Sequence, residues 1–197
     1  MQISWYGKNC FKLVDQEVSV LTDPFSPSSV GLKNPRITSD IVVFSSLEDE
    51  KKISPETFVF SSPGEVEIKN VFIHGVAHFE GKDLRPIFKI TLEDLRVCFL
   101  GEISNELSEE ELDRLGEVDI LVSPFSEKIL NSKKVKKIIE QVEPCLVIPS
   151  CWENRSALTA FIKEVGLKEK EEIDKLKIKK KELSSEKIEL VVLKISV

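Results

Sequence analysis

The chain has 197 residues, with 28 Lys plus Arg against 34 Asp plus Glu and a formal net charge of −6. That length suits a single domain with a sizeable core, no apolar run approaches the roughly 18 residues that a bilayer-spanning helix needs, and the acidic balance gives no footprint for nucleic acid or a membrane. Only two histidines are present, His74 and His78, which excludes any histidine-rich metal centre.

The first half reads as sheet. Residues 2–6, 11–14 and 18–22 predict three strands of a meander, closed by Asp23-Pro24 at the entry to a polar loop. Residues 40–44 form an apolar run suited to a strand covered on both faces, and residues 57–60, 71–76, 87–92 and 96–100 repeat the signal at short spacing. The second half alternates. Ser108 and Glu111 fit a capping box opening a short helix that ends near Gly116, and residues 119–123 then form a strand. Val135, Ile138, Ile139 and Val142 recur at helical spacing, residues 145–149 return as a buried strand, and a last helical stripe from Ala157 to Val165 stops at Gly166. Residues 168–182 are dense in mixed charge, and the alternation of Leu176 and Ile178 with lysines predicts a half-exposed strand that closes a hairpin with residues 188–195.

Nothing at the amino terminus combines a basic region with an apolar stretch, so the expected location is cytoplasmic. The four cysteines, Cys10, Cys98, Cys145 and Cys151, form no CxxC pair and suit reduced thiols in such a compartment.

A β-rich half followed by β and α alternation points to two face-to-face sheets with helices outside. Trp5 with Gly7 and Cys10-Phe11, Leu21-Thr-Asp-Pro-Phe25, Ser39-Asp-Ile-Val-Val-Phe-Ser45, Pro63-Gly-Glu-Val-Glu67, Phe99-Leu-Gly101, Val118-Asp-Ile-Leu121 and Val147-Ile-Pro149 follow one another in the chain. In that order they resemble the successive motifs of a small branch of the metallo-β-lactamase superfamily, similar to the L-ascorbate-6-phosphate lactonase-like hydrolases. The resemblance implies an α/β fold, a metallo-β-lactamase-like αββα sandwich, over a single domain spanning residues 1–197.

It also implies where zinc ligands would stand. The family's His-x-His-x-Asp-His turn corresponds to Ser46, Glu48, Glu50 and Lys51, and the next family histidine to Glu80, with His78 two residues away as the alternative. The bridging aspartate becomes Glu102, the final histidine becomes Cys151, and the family's early Gly-His reads Gly7-Lys8. Lys8, Asp23, His78 and Trp152 complete the candidate pocket. A hydrolytic zinc ion relies on neutral nitrogen donors to keep enough charge to acidify its water. Carboxylates in place of imidazoles blunt that, and a Lys51 ammonium would compete with the metal itself, so an ion pair of Lys51 with Glu102, Glu48 or Glu50 is expected to stand in for zinc.

The expected function is therefore a metal-free, catalytically inactive member of the superfamily, needing no cofactor, that acts as a binding or regulatory module for an unidentified protein partner or small ligand. Two alternatives remain open: a metal-dependent hydrolase with a remodelled site of carboxylates, His78 and Cys151, and a metal-independent enzyme or small-ligand binder using Lys8, Lys51 or Cys151. A homo-oligomer is compatible with all three.

Overall fold

The computed structural model describes residues 1–25, 38–45, 54–184 and 186–196. In chain order these build strands β1 (Gln2–Trp5), β2 (Phe11–Val14), β3 (Ser19–Thr22), β4 (Ile41–Val43), β5 (Phe58–Phe60), β6 (Gly64–Ile68), β7 (Val71–Val76), β8 (Phe79–Glu80), β9 (Asp83–Leu84), β10 (Ile87–Leu92) and β11 (Leu95–Phe99). Helix α1 (Glu109–Leu115), β12 (Ile120–Pro124), α2 (Ser132–Val142), β13 (Leu146–Ser150), α3 (Arg155–Val165), β14 (Glu169–Ile173), β15 (Leu176–Lys177) and β16 (Glu189–Leu193) follow. One sheet has six strands in the order β15-β1-β2-β3-β4-β5, the other eight in the order β14-β16-β13-β12-β11-β10-β7-β6.

Period-two alternation decides which residues fill the space between the sheets. Ile3, Trp5, Phe11, Leu13 and Val20 from the smaller sheet meet Ile73, Phe88, Ile90, Val97, Ile120 and Ile148 from the larger. The outer face of the larger sheet, with Leu121 and Val147, is covered by the apolar stripes of the helices, Leu115, Val135, Ile138, Leu158 and Phe161 among them. The fold is thus the mixed α/β sandwich the sequence predicts. Among the described residues the outer face of the smaller sheet carries only a minor cluster of Cys10, Leu21, Val42 and Phe44.

Each helix begins where its cap dictates. The Ser108–Glu111 capping box is formed, Asn131 and Asn154 cap the amides of Lys134 and Ala157, and Gly166 ends α3 at φ 87°, in the left-handed region that favours glycine.

The closing hairpin is not formed. Leu176 pairs antiparallel with Ile3 in the smaller sheet, while the charged segment is the separate edge strand β14, parallel to β16 in the larger one. The reason is burial: Leu176 is withdrawn into the inter-sheet core, whereas Lys170 and Glu171 remain solvated on an edge that their charges protect from further pairing. The sequence reading also omits β6, which pairs antiparallel with β7 and leaves Glu65 and Glu67 outward.

Candidate functional site

The carboxyl ends of β3, β4, β11 and β13 and the β1–β2 loop meet at one end of the sandwich. Parallel strands place ligand sites at such ends, because the chain leaves the hydrogen-bonded ladder there and its side chains and amides become available. The β1–β2 loop is tightly held: Cys10 N donates to Gly7 O at 2.9 Å, and the Trp5 indole Nε1 donates to Lys8 O at 2.8 Å. Buried Thr22 secures the next residue, its Oγ1 donating to Asn9 O at 2.7 Å while accepting from Phe11 N at 3.1 Å. Lys8, at φ 48°, is thereby presented outward and Asn9 inward, where it is buried.

Asn9 Oδ1 accepts two hydrogen bonds, from Ser150 Oγ at 2.9 Å and from Cys151 Sγ at 3.2 Å. Opposite, Asp23 receives Ser45 N on Oδ1 at 2.6 Å and Ser45 Oγ on Oδ2 at 2.9 Å. Gly101 lies against Ser45 so closely that a Cβ there would fall 2.8 Å from Ser45 Oγ, and its φ of 67° also demands glycine. Glu102 follows, exposed at the rim. Asp23 and Cys151 occupy the left-handed region at φ 38° and 55° immediately beyond β3 and β13, a concentration of backbone strain that surrounding bonds must hold in place.

Lys8, Asp23 and Glu102 all act electrostatically on Cys151. Burial chiefly, then the Glu102 carboxylate, with Asp23 adding less, push its thiol up to about 12, against the opposing effects of the Ser150 hydrogen bond and Lys8. The thiol is therefore a neutral donor at ordinary pH and no nucleophile. At pH 8 its alkylation by iodoacetamide is expected to be on the order of a thousand-fold slower than that of an ordinary cysteine, as followed by peptide mapping. Labelling at the rate of a free thiol contradicts the half-buried, hydrogen-bonded arrangement.

Other candidates lie elsewhere. His78 is buried, its Nδ1 2.8 Å from Glu111 Oε1 and its Nε2 3.7 Å from Glu80 Oε1 with no hydrogen-bond partner. Glu80 accepts the Ser104 backbone N–H, so it anchors the loop that follows Glu102. Burial raises the Glu80 and Glu111 carboxyls, but hydrogen bonds from Ser104 to the first and from Ser108 and His78 to the second outweigh it and hold both below the usual range. Trp152 packs against Trp5 with ring centroids 5.2 Å apart and touches both large apolar clusters. His74, on β7, is half-buried beside Glu65. Ser46, Glu48, Glu50 and Lys51, and with them the expected Lys51 ion pair, lie outside the described residues.

Sequence reasoning missed Asn9, Ser45 and Ser150. Ser45 and Gly101 ended quoted motifs without being nominated, and Asn9 directly follows a nominated lysine; no periodicity marks a small polar residue as a cross-sheet contact.

Zinc is the metal that the family resemblance implies, and the residues described here fit it poorly. Cys151 is engaged as a donor to Asn9, both Asp23 oxygens accept from Ser45, and His78 turns one nitrogen to Glu111. Among the described residues no group of three or more His, Cys, Asp or Glu side chains is arranged to hold a metal ion.

The model of the Beta-lactamase superfamily domain matches residues 2–150, and the chain belongs to that superfamily. Its fold is similar to that of a protein from Thermotoga maritima assigned as a Zn-dependent hydrolase of the metallo-β-lactamase superfamily, at TM-score 0.81 and 23% identity over 98% of this chain and 100% of that one. It is also similar to the metallo-β-lactamase fold protein YhfI from Bacillus subtilis, at TM-score 0.64 and 12% identity over 100% and 97%. An isothiocyanate hydrolase from Delia radicum gut bacteria matches at TM-score 0.62 and 13% identity over 84% and 93%. No functionally curated protein matches the chain in sequence. No described helix is long and apolar enough to cross a membrane.

Proposed function

We propose that this chain is a metal-free, catalytically inactive member of the superfamily, in a branch similar to the L-ascorbate-6-phosphate lactonase-like hydrolases, whose former metal cleft serves as a binding module. The observation that carries this reading is the engagement of Cys151: the residue that the resemblance places at a ligand position is half-buried and spends its thiol on Asn9, with the Glu102 and Asp23 carboxylates and Lys8 acting on it. Of the imidazole donors that keep a catalytic zinc acidic, the resemblance places one at Glu80 and one at Cys151, and Lys8 offers a cation where it places a further histidine. With the Cys151 thiol engaged by Asn9, what the described part of the cleft offers is recognition: carboxylates, an ammonium and preorganised loops.

Elemental analysis for zinc, iron and manganese after purification without chelator tests this. The expected content is well below one equivalent, with no phosphodiesterase, lactonase or β-lactam hydrolysis and the same melting curve with and without EDTA. Stoichiometric zinc, with hydrolysis abolished by chelation and restored by metal, overturns it.

A second reading has one observation in its favour. Glu111 orients the His78 ring and leaves Nε2 unpartnered near Glu80, the way an outer carboxylate orients a metal-ligating imidazole. Two donors fall short of a catalytic site, and the same metal analysis separates this reading from the first.

A further inference from the structure

We propose that Asn9 is a cross-sheet brace, holding the two halves of the cleft together through its own hydrogen bonds where a ligated metal would otherwise tie them. The inference rests on the metal-free reading above and concerns how that cleft stays assembled.

Asn9 belongs to the β1–β2 loop of the six-stranded sheet, and Ser150 and Cys151 to the end of β13 in the eight-stranded sheet, so bonds of 2.9 and 3.2 Å to one carboxamide oxygen span 141 and 142 positions of chain. A metal bound by Asp23 on one side and by Glu102 or Cys151 on the other would join the same two sheets at the same end. The brace is preorganised on both sides. Thr22 fixes the Asn9 carbonyl and Trp5 that of Lys8, while Trp152, directly after Cys151, packs in a tilted arrangement against that same Trp5. Asn9 is only 6% exposed and Ser150 is fully buried, so removing the acceptor leaves donors without water to replace it. Neutrality matters here: a carboxylate in place of Asn9 would add a third negative charge beside Asp23 and Glu102, whereas a carboxamide accepts from both donors with no net charge.

The strain at Cys151, whose φ is 55°, gives the brace a second consequence. A cysteine holds that conformation only while its surroundings over-determine it, so loss of the Asn9 acceptor should release the residues after β13.

The test is a double-mutant cycle read by thermal melting in EDTA and again with added zinc: Asn9→Ala, Cys151→Ala and the double variant, with Cys151→Ser alongside. Asn9→Ala is expected to lower Tm by about 4–8 °C. The double variant should lose less than the sum of the singles, and Cys151→Ser, which keeps a donor, should stay within about 2 °C of wild type. Additive losses, or a serine variant as unstable as the alanine one, overturn the brace. If Asn9→Ala does not fold, the serine-versus-alanine contrast at Cys151 still decides. A wild-type Tm that falls in EDTA and recovers with zinc overturns the metal-free reading instead, and the cycle then reports on the brace separately.

Discussion

Replacement of Trp5 by alanine is expected to lower the unfolding free energy by about 4 kcal/mol, the middle of the range for buried aromatics. Trp5 is 1% exposed at the end of β1 and packs with Phe11 at 6.1 Å and Trp152 at 5.2 Å between ring centroids. Its truncation opens a cavity between the sheets and deletes the indole bond to Lys8 O that shapes the β1–β2 loop. Urea denaturation measures the loss, and Trp5→Phe partitions it. Phenylalanine keeps most of the apolar volume but not the N–H, so its cost should be about 1–2 kcal/mol and should fall mainly on the loop. An alanine variant within 1 kcal/mol of wild type would contradict the role of Trp5 as the pillar beneath the cleft.

At the opposite end of the sandwich, Asp119→Ala is expected to cost about 2–3 kcal/mol. The Asp119 side chain is 5% exposed and accepts Arg96 Nε at 3.0 Å, the Arg96 backbone N–H at 2.8 Å, and an Arg96 NH2 group at 2.8 Å, with the Lys180 ammonium as a further partner. Burial alone would raise the carboxyl, but the Arg96 and Lys180 bonds outweigh it and bring it down to about 2. Since the folded value lies below the ordinary carboxylate value near 3.9, the ionised form is favoured by folding. The contribution is therefore complete above about pH 4 and is lost as pH falls towards 2. Its size is about 2 kcal/mol, trimmed because Arg96 and Lys180 are in part exposed and can be resolvated when the partner goes. Stability measured from pH 7 to pH 2 should show wild type and variant converging below pH 4; parallel curves would show that the network does not couple to folding.

Much of the architecture was legible because local signals and burial agreed. The strands β2, β7 and β10 and the Ser108–Glu111 capping box carry strong periodic or capping patterns that tertiary packing had no reason to override. The carboxy-terminal third was harder. Alternation of Leu176 with lysines announces a strand but not its partner, and only the space left beside β1 sends it to the smaller sheet while β14 joins β16. Of the residues that the motif order singled out, Asp23, Glu102 and Lys8 lie near enough to Cys151 to act on its thiol. The partners of His78 and Trp152, Glu111 and Trp5, were not legible, because proximity in sequence says nothing about which way a side chain turns.

The sequence by itself determined the superfamily fold and an upper limit of two imidazoles, His74 and His78, for any site the chain builds. Only the tertiary structure decided what each remaining group does. Cys151 becomes a neutral donor because two carboxylates and burial surround it, His78 is taken by Glu111, and Asn9, unremarked in the linear chain, reaches across to Ser150. The physical reason is range: periodicity and capping act over a few residues and are written locally, whereas desolvation and hydrogen bonding at the cleft depend on groups 141 positions apart that meet only when both sheets have closed.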